Sequence, residues 1–216
     1  MADEMEKSLV PLEKYLEAGV HIGSPFKSGD MRKFIYKTRN DGICVLDINA
    51  IDKRIAIAAK FISQFDPADI VVVAGRTYAQ KPAKKFAEAI GAKQIVGRFI
   101  PGTMTNPSNE NFLEPKLLIT ADPAVDKQAI KESIKAKVTV LSLCYPSNLT
   151  RNIDFIVPMN NKGKKALALV YWLLTREVLK QKGLIGSDKD FDMKLEDFES
   201  KVVVARREEE EERDDD

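Results

Sequence analysis

Ile70-Val71-Val72-Val73-Ala74, then Gly75-Arg76-Thr77, then Tyr78 to Ile90 closed by Gly91, is the stretch that decides the fold. Consecutive apolar, mostly β-branched residues predict a strand buried on both faces, as in a parallel sheet covered by helices. A turn and a helix follow at once, and a C-terminal glycine ends the helix. Strand, turn and helix in that order form one half of a parallel crossover.

Working outward, the same alternation recurs. Strands are expected at Ile43–Leu46, Gln94–Val96, Lys116–Thr120, Val138–Cys144 and Phe155–Pro158. Helices are expected at Ala50–Gln64, Ala124–Ala136 and Lys164–Gln181. In the first of these, Ile51, Ile55, Ala58, Ala59 and Ile62 mark one face at helical spacing. The pattern predicts an α/β fold, a three-layer, doubly wound, mostly parallel five-stranded sheet. Residues 11–19 read as a short helix. Residues 34–46 read as an extra N-terminal β-hairpin turning at Asn40-Asp41-Gly42. The expected organisation is a flexible N-terminus (1–9), a single α/β domain (10–183), a C-terminal extension (184–207) and a disordered acidic tail (208–216). Phe191 to Phe198 reads as one amphipathic turn or helix.

With 216 residues, 44% hydrophobic, the chain can bury one sizeable core. No apolar run approaches the roughly 18 residues of a membrane span. The first residues lack the apolar core of a signal peptide. Cys44 and Cys144 each lie inside an apolar run, so buried reduced thiols are the simplest reading, with a disulfide or metal pair as the alternative.

The net charge of +1 conceals segregation: residues 1–7 carry −2, 188–201 carry −3, 206–216 carry −5, and the remaining body carries +11. A basic body predicts a polyanionic partner, most often nucleic acid; the alternative is a solvated lysine-rich surface.

Catalytic signatures are weak. The turns after the apolar strands lack the three glycines of a dinucleotide site, and Asn161-Lys162-Gly163-Lys164-Lys165 lacks the hydroxyl that closes a phosphate loop. The single histidine, His21, reads as an ordered structural side chain. Asp47 and Asp122 read as helix N-caps before they read as general bases or Mg²⁺ ligands.

The residues suited to RNA fall into groups. Lys27, Arg32, Lys33, Lys37 and Arg39 are interleaved with Phe26, Phe34 and Tyr36, where rings serve either to stack on bases or to fill the core. The turn-rich run Gly97 to Pro107 offers Arg98, Thr103, Thr105 and Asn106, with amides free for an anion. Asn160, Asn161, Lys162, Lys164 and Lys165 surround a helix N-terminus, where N–H groups and the dipole attract phosphate. Lys81, Lys84 and Lys85 read equally as a solvated helix face.

Three segments resemble the ribosomal protein S-two family of the small ribosomal subunit. Tyr15-Leu16-Glu17-Ala18-Gly19-Val20-His21-Ile22-Gly23 is similar to its N-terminal motif. Gly97 to Asn106 is similar to a run of its archaeal and eukaryotic members. Pro115 to Pro123, with Asp126, Ile130 and Glu132, resembles its second signature, with Thr120 and Thr139 as departures. The resemblance spans about residues 10–182. It implies a flavodoxin-like sheet and a structural, RNA-binding role in the cytoplasm, with no catalysis, cofactor, metal, membrane or small-molecule substrate. The implied partners are small-subunit ribosomal RNA and other small-subunit ribosomal proteins. The bacterial helical-hairpin insertion has no counterpart between residues 50 and 64, and the long eukaryotic extension has none after the acidic tail, so the archaeal type is implied.

Overall fold

The structure is a computed structural model that describes residues 8–186 and 191–200. The expectations for residues 1–7 and for the acidic tail lie outside the described residues.

Helix α1 spans Leu12–Ala18 and stops at Gly19, whose φ of 67° is left-handed. Such a φ favours glycine. A 3₁₀ turn at Arg32–Phe34 leads into β1 (Ile35–Thr38), which pairs antiparallel with β2 (Cys44–Leu46) as the expected hairpin. Asp47 caps α2 (Ile48–Ser63): its Oδ1 accepts the Asn49 N–H at 3.0 Å.

From there strands and helices alternate: β3 (Ile70–Ala74), α3 (Thr77–Ile90), β4 (Lys93–Val96), β5 (Leu117–Thr120), α4 (Lys127–Ala136), β6 (Thr139–Cys144), β7 (Phe155–Pro158) and α5 (Lys164–Gln181). The five strands β3 to β7 are all parallel, in the order β4-β3-β5-β6-β7. Pro158 ends β7 at the sheet edge, where its missing N–H costs no ladder bond.

The two faces of the sheet are covered unequally. Ile70, Val72, Ala74, Leu117, Ile119, Leu141 and Val157 face α2, α3 and α5 in the larger core. Val71, Val73, Leu118 and Val140 face only α4 and the loop after β4, through Ala129, Ile130, Phe99 and Met104. All five residues of β3 are buried, and burying each Val or Ile side chain stabilises the fold by about 1.5–3 kcal/mol. That explains why this interior strand carried the clearest signal in the sequence.

α5 lies against both α2 and α3, and almost all of its length is buried. Its buried Arg176 donates Nη2–H to the Leu9 carbonyl at 2.9 Å and Nε–H to Glu177 at 2.9 Å. The Leu9 N–H also contacts Asp52, so the chain is tied down just ahead of α1. The extension beyond α5 returns onto the domain. Trp172 Nε1 donates to the Met193 carbonyl at 2.8 Å, and its ring meets Phe191 edge-on. The short helix α6 (Leu195–Phe198) buries Phe198 against α5 and α3. The sequence expectation of an amphipathic segment there thus reduces to one helical turn.

Both cysteines are free thiols and buried, and burial pushes the Cys144 thiol up to about 12. Among the described residues, no helix is long and apolar enough to cross a membrane.

Candidate nucleic-acid interface

In a parallel sheet every strand ends on the same side, so the connections after β3, β4, β5, β6 and β7 share one rim. Arg98 follows β4 at one margin of the sheet, and Lys162, Lys164 and Lys165 follow β7 at the other. Four strand spacings separate those margins, about 19 Å. All four side chains are exposed. Lys27 joins the β7 side of the rim, because its loop is pinned there: the Ser28 N–H donates to the Pro146 carbonyl at 2.8 Å. The Thr150 hydroxyl also donates to Asp30 at 2.8 Å.

The α5 N-terminus is bare. Gly163 gives it no side-chain cap, its first turn holds no acid, and Lys164 and Lys165 stand in that turn. Lys162 lies over the Tyr145 ring at 4.5 Å. Lys164 stands 3.7 Å from Glu199 of the returning extension.

Between the two margins, the crevice where such sheets bind their ligands is filled by the chain's own side chains. Arg76, after β3, directs Nε and Nη2 onto Oδ2 of the buried Asp122, after β5. Asp122 Oδ1 accepts from the Ala124 N–H at 2.9 Å and the Asn148 amide at 3.2 Å. Asn161, fully buried, donates its amide to the Leu143 carbonyl at 3.0 Å and to Asn148 at 3.2 Å. Beside them Asp126 accepts the Gly75 N–H at 2.9 Å. A Cβ on Gly75 would meet Asp126 Oδ1 and Val125 Cγ1, each at 2.7 Å. The lone glycine of this turn therefore admits an aspartate where a dinucleotide site admits a phosphate. Burial pushes the Asp126 carboxyl up to about 6, against the pull of the backbone N–H groups it accepts.

This arrangement corrects the reading of Asp122 as an N-cap. The helix begins at Lys127, three residues later than the sequence suggested, and Asp122 is the buried anion of an ion pair with the half-buried Arg76.

The loop after β4 also differs from expectation. Its amides were expected to await an external anion, but Glu132 of α4 already occupies them. Glu132 is buried and accepts from the Gly102 N–H at 2.8 Å, the Gln128 amide at 2.8 Å and the Met104 N–H at 3.1 Å. Burial opposes its charge, yet these donors hold its carboxyl below the ordinary glutamate range. Thr103 is buried, and its hydroxyl donates to the Ile100 carbonyl at 2.7 Å. Thr105 and Asn106 are exposed, the latter closing a turn onto the Ser108 N–H at 3.1 Å.

Asn160 is used locally at both ends of its amide. It donates to the Gly19 carbonyl at 3.1 Å and accepts the Lys162 N–H at 3.2 Å. It therefore ties the N-terminal motif to the α5 entry.

The hairpin cations form a separate group. Arg32, Lys33, Lys37 and Arg39 are exposed, and Arg39 stands 3.4 Å from Asp41. The two rings there divide: Phe34 is core, whereas Tyr36 projects into solvent.

Sequence reasoning missed Arg76 and the anchoring role of Glu132. Glu132 lies three residues after Ala129 and beside Ser133, both buried on the inner face of α4, and that spacing was the available signal. Arg76 gave no comparable signal, because its partner lies 46 residues away.

The family model described as ribosomal protein S2 matches residues 15–112 and 108–181. The small ribosomal subunit protein uS2 of Methanoregula boonei is 46% identical over 202 residues, covering 94% of this chain and 97% of that protein. On both the family match and this near full-length identity, the chain belongs to the ribosomal protein S2 family.

Proposed function

We propose that this protein is a non-catalytic constituent of the small ribosomal subunit in the cytoplasm, where it holds ribosomal RNA across the carboxyl rim of its sheet. The observation that carries the reading is the start of α5. Lysines in a first helical turn oppose the helix dipole and weaken the helix by a few tenths of a kcal/mol each. An external phosphate reverses that penalty by meeting both the lysines and the bare N–H groups. Glu199 is a weak stand-in, because a solvent-exposed pair contributes only about 0–1 kcal/mol.

The proposed contact set is Lys27, Arg98, Thr105, Asn106, Lys162, Lys164 and Lys165, with Arg32 and Lys33 extending it toward the hairpin. Thr103 and Asn161 are left out because both are buried, and Asn160 because its amide is already engaged.

The test is RNA binding as a function of salt. The triple variant Lys162→Ala/Lys164→Ala/Lys165→Ala should lower the log–log salt slope for small-subunit RNA by roughly two to three. An unchanged slope with the fold intact refutes the interface.

A further inference from the structure

A groove of about 520 Å³ opens between α1 and the hairpin. Leu12, Leu16, Ile22, Tyr36, Val45 and Ile48 line it. Four of these are largely in solvent: Leu12 is 55% exposed, Leu16 47%, Ile22 44% and Tyr36 70%. Single exposed apolar residues are ordinary, but several gathered in one concave surface mark a place where a protein docks.

One further feature says what fits. Lys37 and Arg39 stand at the hairpin end of the groove, so a complementary occupant carries a carboxylate there. RNA is a poorer match, because phosphate and ribose gain nothing from Leu12, Leu16 and Ile22.

We infer that this groove receives a short segment of another small-subunit protein. The segment offers two or three aliphatic side chains to the α1 wall and an acidic residue to Lys37 and Arg39. The inference rests on the proposed place of the protein in the small subunit, and it assigns Lys37 and Arg39 to protein contact instead of RNA contact.

The test uses assembled small subunits carrying the full-length chain with Leu16→benzoylphenylalanine, irradiated and analysed by mass spectrometry. The expected product is a cross-link to one other protein, within about five residues of an aspartate or glutamate. Adding Lys37→Glu and Arg39→Glu should lower its yield at least about fivefold, whereas Lys84→Glu on α3 should not. A cross-link to RNA, to a second copy or to residues 1–7 or 201–216 of the same chain overturns the inference, as does a yield indifferent to the charge reversals. The free Leu16→Asp variant should bind ribosomal RNA with an unchanged salt slope. Failure of the tagged chain to enter small subunits at all would instead overturn the proposed function.

Discussion

Glu132 on α4 holds Gly102 on the loop after β4: its Oε1 accepts the Gly102 N–H at 2.8 Å, while its Oε2 takes the Met104 N–H at 3.1 Å. A loop rich in glycine and proline has no secondary structure to satisfy its amides, so one carboxylate supplies what a ladder would. Replacing Glu132 by Ala leaves two amides and the Gln128 side chain without it. We expect a loss of about 2–3 kcal/mol. Amide hydrogen exchange at Gly102 and Met104 should accelerate before any other site on the sheet. The pH dependence has a definite sign. A carboxyl held below its ordinary value of 4.5 stabilises the fold above that pH, and the contribution fades as pH falls through the lowered value.

Asp126 behaves in the opposite sense. Its folded value of about 6 lies above the ordinary 3.8, so its proton is bound more tightly in the folded state. Its contribution is fully present below about pH 4 and is lost as pH rises through about 6, a change of about 2–3 kcal/mol. Urea midpoints measured between pH 4 and pH 7 should fall with rising pH in the native chain. They should flatten over that window in Asp126→Asn.

Asn161 and Lys162 are neighbours with opposite assignments. Asn161→Ala removes the amide that joins the Leu143 carbonyl to Asn148, and should cost about 2–3 kcal/mol without altering the salt slope of RNA binding. Lys162→Ala should do the reverse, leaving the melting temperature nearly unchanged and lowering the slope by about one. Thermal melts and filter binding on the two variants separate structural from interfacial residues.

Gly23 closes the N-terminal motif because there is no space for a side chain. An added Cβ would collide with the Cys44 carbonyl oxygen and stand 2.9 Å from Pro146 Cγ. Gly23→Ala should therefore destabilise by about 2–4 kcal/mol, and calorimetric melting measures it. Gly29→Ala, with open space around its Cα, is the matched control.

The sheet was legible because β3, β5 and β6 are buried on both faces and read as continuous apolar runs. The start of α4 was not, because Asp122-Pro123 resembles a cap, and only the distant Arg76 shows that the carboxylate is engaged elsewhere. The layout of the candidate interface was half legible. Exposed lysines such as Lys162 and Lys164 follow from charge and helix position alone. The burial of Thr103 and Asn161 depends on partners far along the chain, which local pattern cannot reveal. Likewise, nothing in the run Gly97 to Pro107 announces that a glutamate about thirty residues later will fill its amides.

The crevice closed by Arg76, Asp122, Asn148 and Asn161 has a mechanical consequence. Sheets of this strand order keep that crevice for a ligand, whereas here a cross-braced plug joins the ends of β3, β5, β6 and β7. In the proposed function the rim is thereby braced from β3 to β7, so the RNA would meet a preset spacing of the α5 lysines rather than one it has to arrange.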